Sequence, residues 1–480
     1  MRSLLVSTYE MGRQPFGVAS AAAWLRAAGW EVDCVDVAKE KLTRERVASA
    51  DLVGFHLPMH TATRLAAPIL AAARQANPSA RICAFGLYAP LNAEWLQSLG
   101  ADAVFGGEFE EELVAFAGRA DRTQSAQRSQ SNLVSSSHAA RTGQDEQLVS
   151  AIAAASAFDR RDRRLPRIHF LVPERAGLPP LSKYATLQLP GGGRRLAGYT
   201  EASRGCRHLC RHCPVVPIYE GQFRVVQPEV VLADVDNQIA AGAEHITFGD
   251  PDFFNGPTHA MRIVSALHAK HPTVSYDVTI KVEHLLQHRQ LVPRLAATGC
   301  AFVISAVESV DDRVLALLDK GHTRDGFVDA VALCRDSGVT LAPTFVAFHP
   351  WLTLEGYCDL LDTIDELELV EHVAPIQLAI RLLVPEGSRL LQLDEMRAHL
   401  GGFDPATLAY RWAHPDPRVD ALQREVIALV GRRLTADRRT VFDEVSALAH
   451  ERAGVPPRRA EARPARDRAT VPYLNEPWYC

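Results

Sequence analysis

Three cysteines stand close together in the segment YTEASRGCRHLCRHCPVVP, residues 199–217: Cys206, Cys210 and Cys213, spaced C-x3-C-x2-C after a strand-like run and a glycine-containing turn. Thiolate is the usual protein ligand of iron–sulfur clusters, and three thiolates on a four-iron cube leave one iron without a protein ligand. Such an iron can bind a substrate or a cofactor, whereas a cluster that only carries electrons normally has every iron capped by protein. The lack of a fourth cysteine nearby therefore points to chemistry at the cluster. Zinc is the competing occupant, because His208 and His212 interleave with the cysteines and tetrahedral zinc accepts both residue types. Adjacent His212 and Cys213 do not easily bind one ion together, and no second C-x2-C or H-x3-H pair follows to complete a two-knuckle site.

The remaining six of the nine cysteines are dispersed, which is not a disulfide scaffold. Cys34, Cys83, Cys300 and Cys334 lie in apolar stretches and read as small buried hydrophobes, as does Cys358. Cys480 follows Trp478 and Tyr479 in the last residues of the chain and is the second candidate for chemistry. The 480 residues, 47% hydrophobic and 23% charged, suffice for two or three domains with their own cores. A net charge of -5 and a pI near 6.4 provide no broad basic field, which argues against nucleic acid and anionic membrane as partners. No signal-peptide pattern opens the chain, and apolar runs such as residues 65–73 are too short to span a bilayer, so a cytoplasmic location is expected.

The elements that must position the cysteines read as an α/β protein. Strand-like runs at 3–7, 32–37, 51–58, 82–89 and 103–106 alternate with helical stretches, including 61–76 and 109–118. Five parallel strands with right-handed crossovers make a doubly wound, flavodoxin-like domain over 1–118. Residues 119–165, rich in Ser, Gln and Arg, read as a disordered linker. A second βα series over 166–395 has strand-like runs at 197–203, 245–249, 274–280, 300–307, 339–347 and 374–384, a partial (β/α)6 TIM-type barrel with its chemistry at the C-terminal strand ends. Residues 396–455 read as a helical C-terminal region and 456–480 as an extended Pro- and Arg-rich tail.

The cysteine spacing and its place after the first barrel strand resemble the radical SAM superfamily. That resemblance implies a [4Fe-4S] cluster on Cys206, Cys210 and Cys213, with the open iron chelating the amino and carboxylate groups of S-adenosyl-L-methionine. One-electron reduction would then cleave this cofactor to a 5'-deoxyadenosyl radical. His212 takes the place of the family's aromatic residue near the adenine. In ITFGDPDFFNGP, Gly249 and Asp250 occupy the place of the Gly-Gly-Glu segment that holds the ammonium of the cofactor, with Asp252 as the alternative. A carboxylate suits an ammonium, although either aspartate can equally be a loop or helix cap. Glu308 and Ser309, in CAFVISAVESVDD, resemble the motif that contacts the ribose hydroxyls. Arg381, in QLAIRLLVPEG, is either a cation at the barrel mouth or an ordinary ion-pair partner.

A flavodoxin-like domain ahead of such a barrel resembles the cobalamin-binding radical SAM class, and VFGGEFEEEL (104–113) looks like the Gly-Glu-rich stretch after its last strand. The Asp-x-His-x-x-Gly signature is absent, since TYEMGRQPFG stands after the first strand without a histidine, so either cobalamin binds without an axial histidine or the domain only shapes substrate access. The tail VPYLNEPWYC resembles the CUAEP/CCAEP-tail radical SAM (seleno)protein family, whose members continue with Cys or selenocysteine and Ala-Glu-Pro. This implies a UGA codon after Cys480 and a redox-active or metal-binding terminus. The expected partners are a small-molecule or peptide substrate and a reductant such as flavodoxin or ferredoxin. The alternative is a non-catalytic iron–sulfur or zinc-binding protein serving electron transfer or as a scaffold.

Overall fold

The computed structural model describes residues 1–118, 168–434, 436–458 and 471–475. The expected linker 119–165 and Cys480 lie outside them. In the N-terminal domain β1 (Arg2–Ser7), β2 (Glu31–Asp36), β3 (Leu52–His56), β4 (Arg81–Phe85) and β5 (Ala103–Phe105) form a parallel sheet in the order β2-β1-β3-β4-β5, the flavodoxin-like arrangement. Strand periodicity divides the core between the two faces. Leu4, Val6, Val53 and Phe55 pack under Leu70 and Ala73 of helix His60–Ala76, while Leu5, Leu52 and Phe85 meet Val18, Ala22 and Leu25 of helix Phe16–Ala27.

The second unit begins with β6 (Thr186–Gln188) and β7 (Arg194–Thr200), followed by the short pair β8 (Ser203–Gly205) and β9 (Phe223–Val225). Then come β10 (His245–Phe248), β11 (Ser275–Thr279), β12 (Cys300–Glu308) and β13 (Thr340–Phe345). Strands β7-β10-β11-β12-β13 run parallel in sequence order, the open curled sheet of a partial barrel. The expected sixth strand is reduced. Pro375 opens a 3-10 helix, Pro375–Ala379, and one parallel bridge, Phe348–Arg381, continues the sheet. Gln377 Oε1 accepts from the Phe345 N–H at 3.2 Å, so a side chain does the work of a strand carbonyl.

Residues 396–455 are not wholly helical: β14 (Leu400–Asp404) and β15 (Ala409–Trp412) form an antiparallel hairpin. Asp404 Oδ1 accepts from the Ala406 N–H at 3.0 Å and stabilises the turn, with Leu408 at φ 51°. Helices Pro417–Arg432 and Arg438–Ala453 follow and bury Val419, Leu422, Val426, Val441 and Val445 in the barrel's main core. In the tail, β16 (Tyr473–Leu474) pairs antiparallel with β6 at the sheet edge, and Arg438 lies 4.4 Å from the Tyr473 ring centre.

The two domains meet at Arg204 in β8. Its guanidinium lies 2.6 Å from Glu110 Oε1, 3.5 Å from Glu108 Oε2 and 2.9 Å from Glu201 Oε2, under the rings of Phe16, Phe109 and Phe170. Burial raises the pKa of both Glu108 and Glu201 to about 7, so the cluster reconciles three acids with one cation by holding protons near neutrality. Arg204→Met leaves buried acids without their cation, and urea unfolding at about pH 8 is expected to show a loss of about 3–5 kcal/mol. The loss should shrink toward about pH 5, where protons neutralise the acids; a pH-independent loss would count against the ionic account.

Candidate functional site

The cysteine loop is an excursion closed by the β8–β9 pair, in which Gly205 faces Phe223. Gly205 has φ 77°, and a Cβ there would overlap the Tyr219 ring and the Gln222 carbonyl, so the position before Cys206 admits glycine alone. Asn255, just past β10, clamps the loop: its Oδ1 accepts from the Arg207 N–H at 3.2 Å and its Nδ2 donates to the Gly205 carbonyl at 3.4 Å. Arg211 donates to the Ala316 and Leu317 carbonyls at the end of helix Asp312–Leu318, and its own carbonyl accepts from Ser388 Oγ. From the N-terminal domain, Leu87 packs, as Cys213 does, on the group of Cys206, Val215 and Tyr219.

Cys206 and Cys210 are buried and Cys213 is half-buried. Burial pushes the Cys206 thiol up to about 11 and the Cys213 thiol to about 12, so loading a metal centre must release protons. The donor chemistry fits a [4Fe-4S] cluster: three soft thiols, sheltered from water, with an apolar wall on one side. It does not fit a single zinc ion. Tetrahedral zinc with Zn–S near 2.3 Å needs sulfurs about 3.8 Å apart, whereas among the described residues the three thiols do not form a set within 4.8 Å of one another.

On the barrel side, Glu308 ends β12 in the left-handed region at φ 71°. Its Oε1 lies 3.1 Å from His212 Nε2 and 3.4 Å from Lys320 Nζ. Burial works to raise the Glu308 pKa, but Lys320 and His212 outweigh it and hold the carboxyl at about 2. His212 Nδ1 is buried without a protein partner. Ser309 Oγ accepts from the Asp311 N–H at 3.1 Å beside this group. His212, Glu308 and Ser309 are thus brought together next to Cys213. Lys320 joins them from beyond helix Asp312–Leu318, just after the left-handed Asp319 that ends it, and nothing local in the sequence marks it.

The other expected contacts are placed differently. Gly249 lies under Tyr199, whose phenol occupies the space a Cβ would need, and its N–H donates to the Thr200 carbonyl at 2.8 Å. Asp250 accepts from the Ala202 N–H at 2.9 Å and Ser203 Oγ at 2.5 Å, which holds the start of the cysteine loop. Asp252 caps the 3-10 helix Phe253–Asn255 through the Phe254 N–H and turns its other oxygen toward His208 and His284. Arg381 does not aim a cation at the barrel mouth. Asp420 pairs with it at 2.6 Å, the Trp412 carbonyl accepts from it, and its guanidinium stacks 3.4 Å from the Trp412 ring centre, so the ion-pair alternative describes it.

In the N-terminal domain, the switch point between β1 and β3 is where a sheet of this order receives a ligand. Glu10, in the loop after β1, closes it: Oε1 lies 2.8 Å from His56 Nδ1 at the end of β3, and Oε2 accepts from the Phe16 N–H at 3.3 Å. The His56 ring fills the space above Gly17. These residues do not fit a cofactor arm inserted between β1 and β3, nor an axial imidazole supplied there.

Comparison with known proteins agrees with this architecture. The B12 binding domain family model matches residues 2–117 and the Radical SAM superfamily model matches residues 200–367. The structure of the cobalamin-dependent S-adenosylmethionine radical enzyme OxsB with aqua-cobalamin bound superposes with a TM-score of 0.65 at 14% identity, covering 94% of this chain and 72% of that one. The radical S-adenosylmethionine methyltransferase TsrM from Kitasatospora setae, with tryptophan substrate and a SAM analogue, gives 0.60 at 15% identity, covering 89% and 88%. Among curated proteins, the tRNA-2-methylthio-N(6)-dimethylallyladenosine synthase of Bacteroides thetaiotaomicron is 26% identical over 180 residues, 33% of this chain and 37% of that protein. The enzyme of that name from Chlorobium phaeobacteroides is 25% identical over 232 residues, 44% and 51%. The chain thus spans about half or less of the length of these curated relatives. The likeness to OxsB and TsrM establishes the shared fold, and the two family matches fall on the doubly wound domain and the cysteine-bearing barrel. This chain carries a radical SAM domain over residues 200–367 behind an N-terminal B12-binding domain over residues 2–117.

Proposed function

We propose that this chain is an enzyme that reductively cleaves S-adenosyl-L-methionine and starts radical chemistry on a small-molecule or peptide substrate in the cytoplasm. The observation that carries the reading is the convergence of Cys206, Cys210 and Cys213 with the His212–Glu308–Lys320 group at one barrel mouth. With cluster and cofactor bound, the chemistry supplied is one-electron cleavage of the sulfonium to methionine and a 5'-deoxyadenosyl radical, the electron coming from a reductant such as flavodoxin or ferredoxin. The three thiols hold the metal centre and leave one iron to the cofactor. Glu308, kept ionised by Lys320 and His212, accepts from the ribose hydroxyls, with Ser309 beside it. His212 Nδ1, buried without a protein partner, would be available to the adenine of the bound cofactor. Leu87 and Tyr88 cover the loop and exclude water; burial and the nearby Cys213 thiol raise the Tyr88 phenol.

The net charge of -5 favours a small molecule or peptide over the tRNA named for the curated relatives. No helix among the described residues is long and apolar enough to cross a membrane. Reduced, anaerobic protein supplied with S-adenosyl-L-methionine is expected to form 5'-deoxyadenosine or S-adenosylhomocysteine, and Cys213→Ala to form neither. Absence of both products from the wild-type chain would favour the electron-transfer or scaffold reading.

Cobalamin-dependent methylation is a second reading, favoured by the B12-binding match. The closed Glu10–His56 crevice predicts that cobalamin taken up on reconstitution gives a Co(II) electron paramagnetic resonance spectrum that His56→Ala leaves unchanged. A nitrogen-split signal that disappears in His56→Ala would contradict that crevice.

A further inference from the structure

His208, Asp252 and His284 reach the barrel mouth from the cysteine loop, the turn after β10 and the helix Val282–Gln287 after β11. Each offers a donor atom within 4.8 Å of the other two. Asp252 is fully buried and His284 is 2% exposed. Asp252 Oδ2 lies 2.7 Å from His284 Nδ1 and 3.4 Å from His208 Nε2. The two imidazoles approach nitrogen to nitrogen at 3.2 Å, with ring centres 4.5 Å apart.

The three side chains contact one another through the His208–His284 nitrogens and the Asp252 ion pairs. Asp252 Oδ2 and His284 Nδ1 are both buried and, at 2.7 Å from each other, lack hydrogen-bond geometry to any partner. Two buried polar atoms held this close without a well-aligned hydrogen bond leave room for a better partner. A shared cation would relieve both, and two imidazole nitrogens with one carboxylate oxygen are a donor set for first-row divalent metals. The surroundings also orient these donors. Asp252 Oδ1 accepts from the Phe254 N–H at 3.1 Å, which turns Oδ2 to the imidazoles, and Glu283 Oε2 lies 3.5 Å from His208 Nδ1. A carboxylate behind the far nitrogen of a histidine is a common outer contact of metal ligands.

We propose that His208, Asp252 and His284 bind one divalent transition-metal ion, Zn2+ or Fe2+, distinct from the metal centre on Cys206, Cys210 and Cys213. The ion pins the cysteine loop to the mouth of the barrel at β10 and β11, because His208 stands between Cys206 and Cys210. Three protein ligands leave a further coordination position. This assignment makes Asp252 a metal ligand rather than the contact for the cofactor's ammonium, and it stands independently of the radical SAM reading.

The test is metal and acid-labile sulfide analysis of the full-length chain, purified and reconstituted without oxygen. The expected result is one zinc or iron ion per chain beyond the iron that matches sulfide, lost in His284→Ala and in Asp252→Asn while sulfide is retained. A second measurement removes the thiols: full-length Cys206→Ala/Cys210→Ala/Cys213→Ala titrated calorimetrically with Zn2+ or Fe2+ alone. One site is expected there, weakened about 100-fold or more when Asp252→Asn is added. No ion beyond the sulfide-matched iron together with no binding in the thiol-free chain overturns the proposal, as does binding that Asp252→Asn leaves unchanged. Zinc binding in the thiol-free chain with no sulfide in the wild type supports this site and counts against the cluster reading alone.

Discussion

A guanidinium buried away from water must be surrounded by acceptors, and Arg204 gathers its acceptors from both domains. Glu108 and Glu110 come from the stretch after β5, Ser20 from the first helix and Glu201 from the turn after β7. Two residues further along the chain stands Cys206. The ionic contact that joins the domains therefore also sets where the cysteine loop starts, and it brings Leu87 and Tyr88 onto that loop. The surrounding phenyl rings exclude water and strengthen the attraction, while the raised acids limit the charge that must be neutralised.

The loop so placed has two unlike sides. Toward the N-terminal domain it is apolar, with Leu87, Val215, Tyr219 and Ile218 around the cysteines. Toward the barrel it meets fixed charge, with His212 on Glu308 and Glu308 on Lys320. An apolar cover favours thiol burial and keeps water from a radical, whereas fixed ionic groups orient a polar nucleoside. Asn255, Asp250 and Arg211 hold the loop between these sides through hydrogen bonds to its backbone.

Much of this was legible in the residues themselves. The continuous apolar run in SLLVS and a helix stripe of Val18, Ala21 and Leu25 are local signals, and they mark out the doubly wound domain. The cysteine spacing is local too, and Glu308 and Ser309 could be read from their place at a strand end. What escaped notice depends on pairing across long separations. His208, Asp252 and His284 are spread over 76 positions between the first and last, and Arg204 meets Glu110 across 94. Nothing near Arg381 announced that Trp412 and Asp420 would take its charge. The hairpin at 400–412 was hidden by its helical neighbours, although Gly401, Gly402 and the Asp404–Pro405 turn are strand-and-turn chemistry.

In the proposed function, Cys206, Cys210 and Cys213 hold a cluster whose open iron meets S-adenosyl-L-methionine beside Glu308. Electron paramagnetic resonance of the reduced, reconstituted chain tests it most directly, recorded with and without S-adenosyl-L-methionine. A [4Fe-4S]+ signal is expected that shifts on adding the cofactor in the wild-type chain and shifts only at higher concentration in Glu308→Gln. A cluster signal indifferent to S-adenosyl-L-methionine, or none in protein that has taken up iron and sulfide, would contradict it.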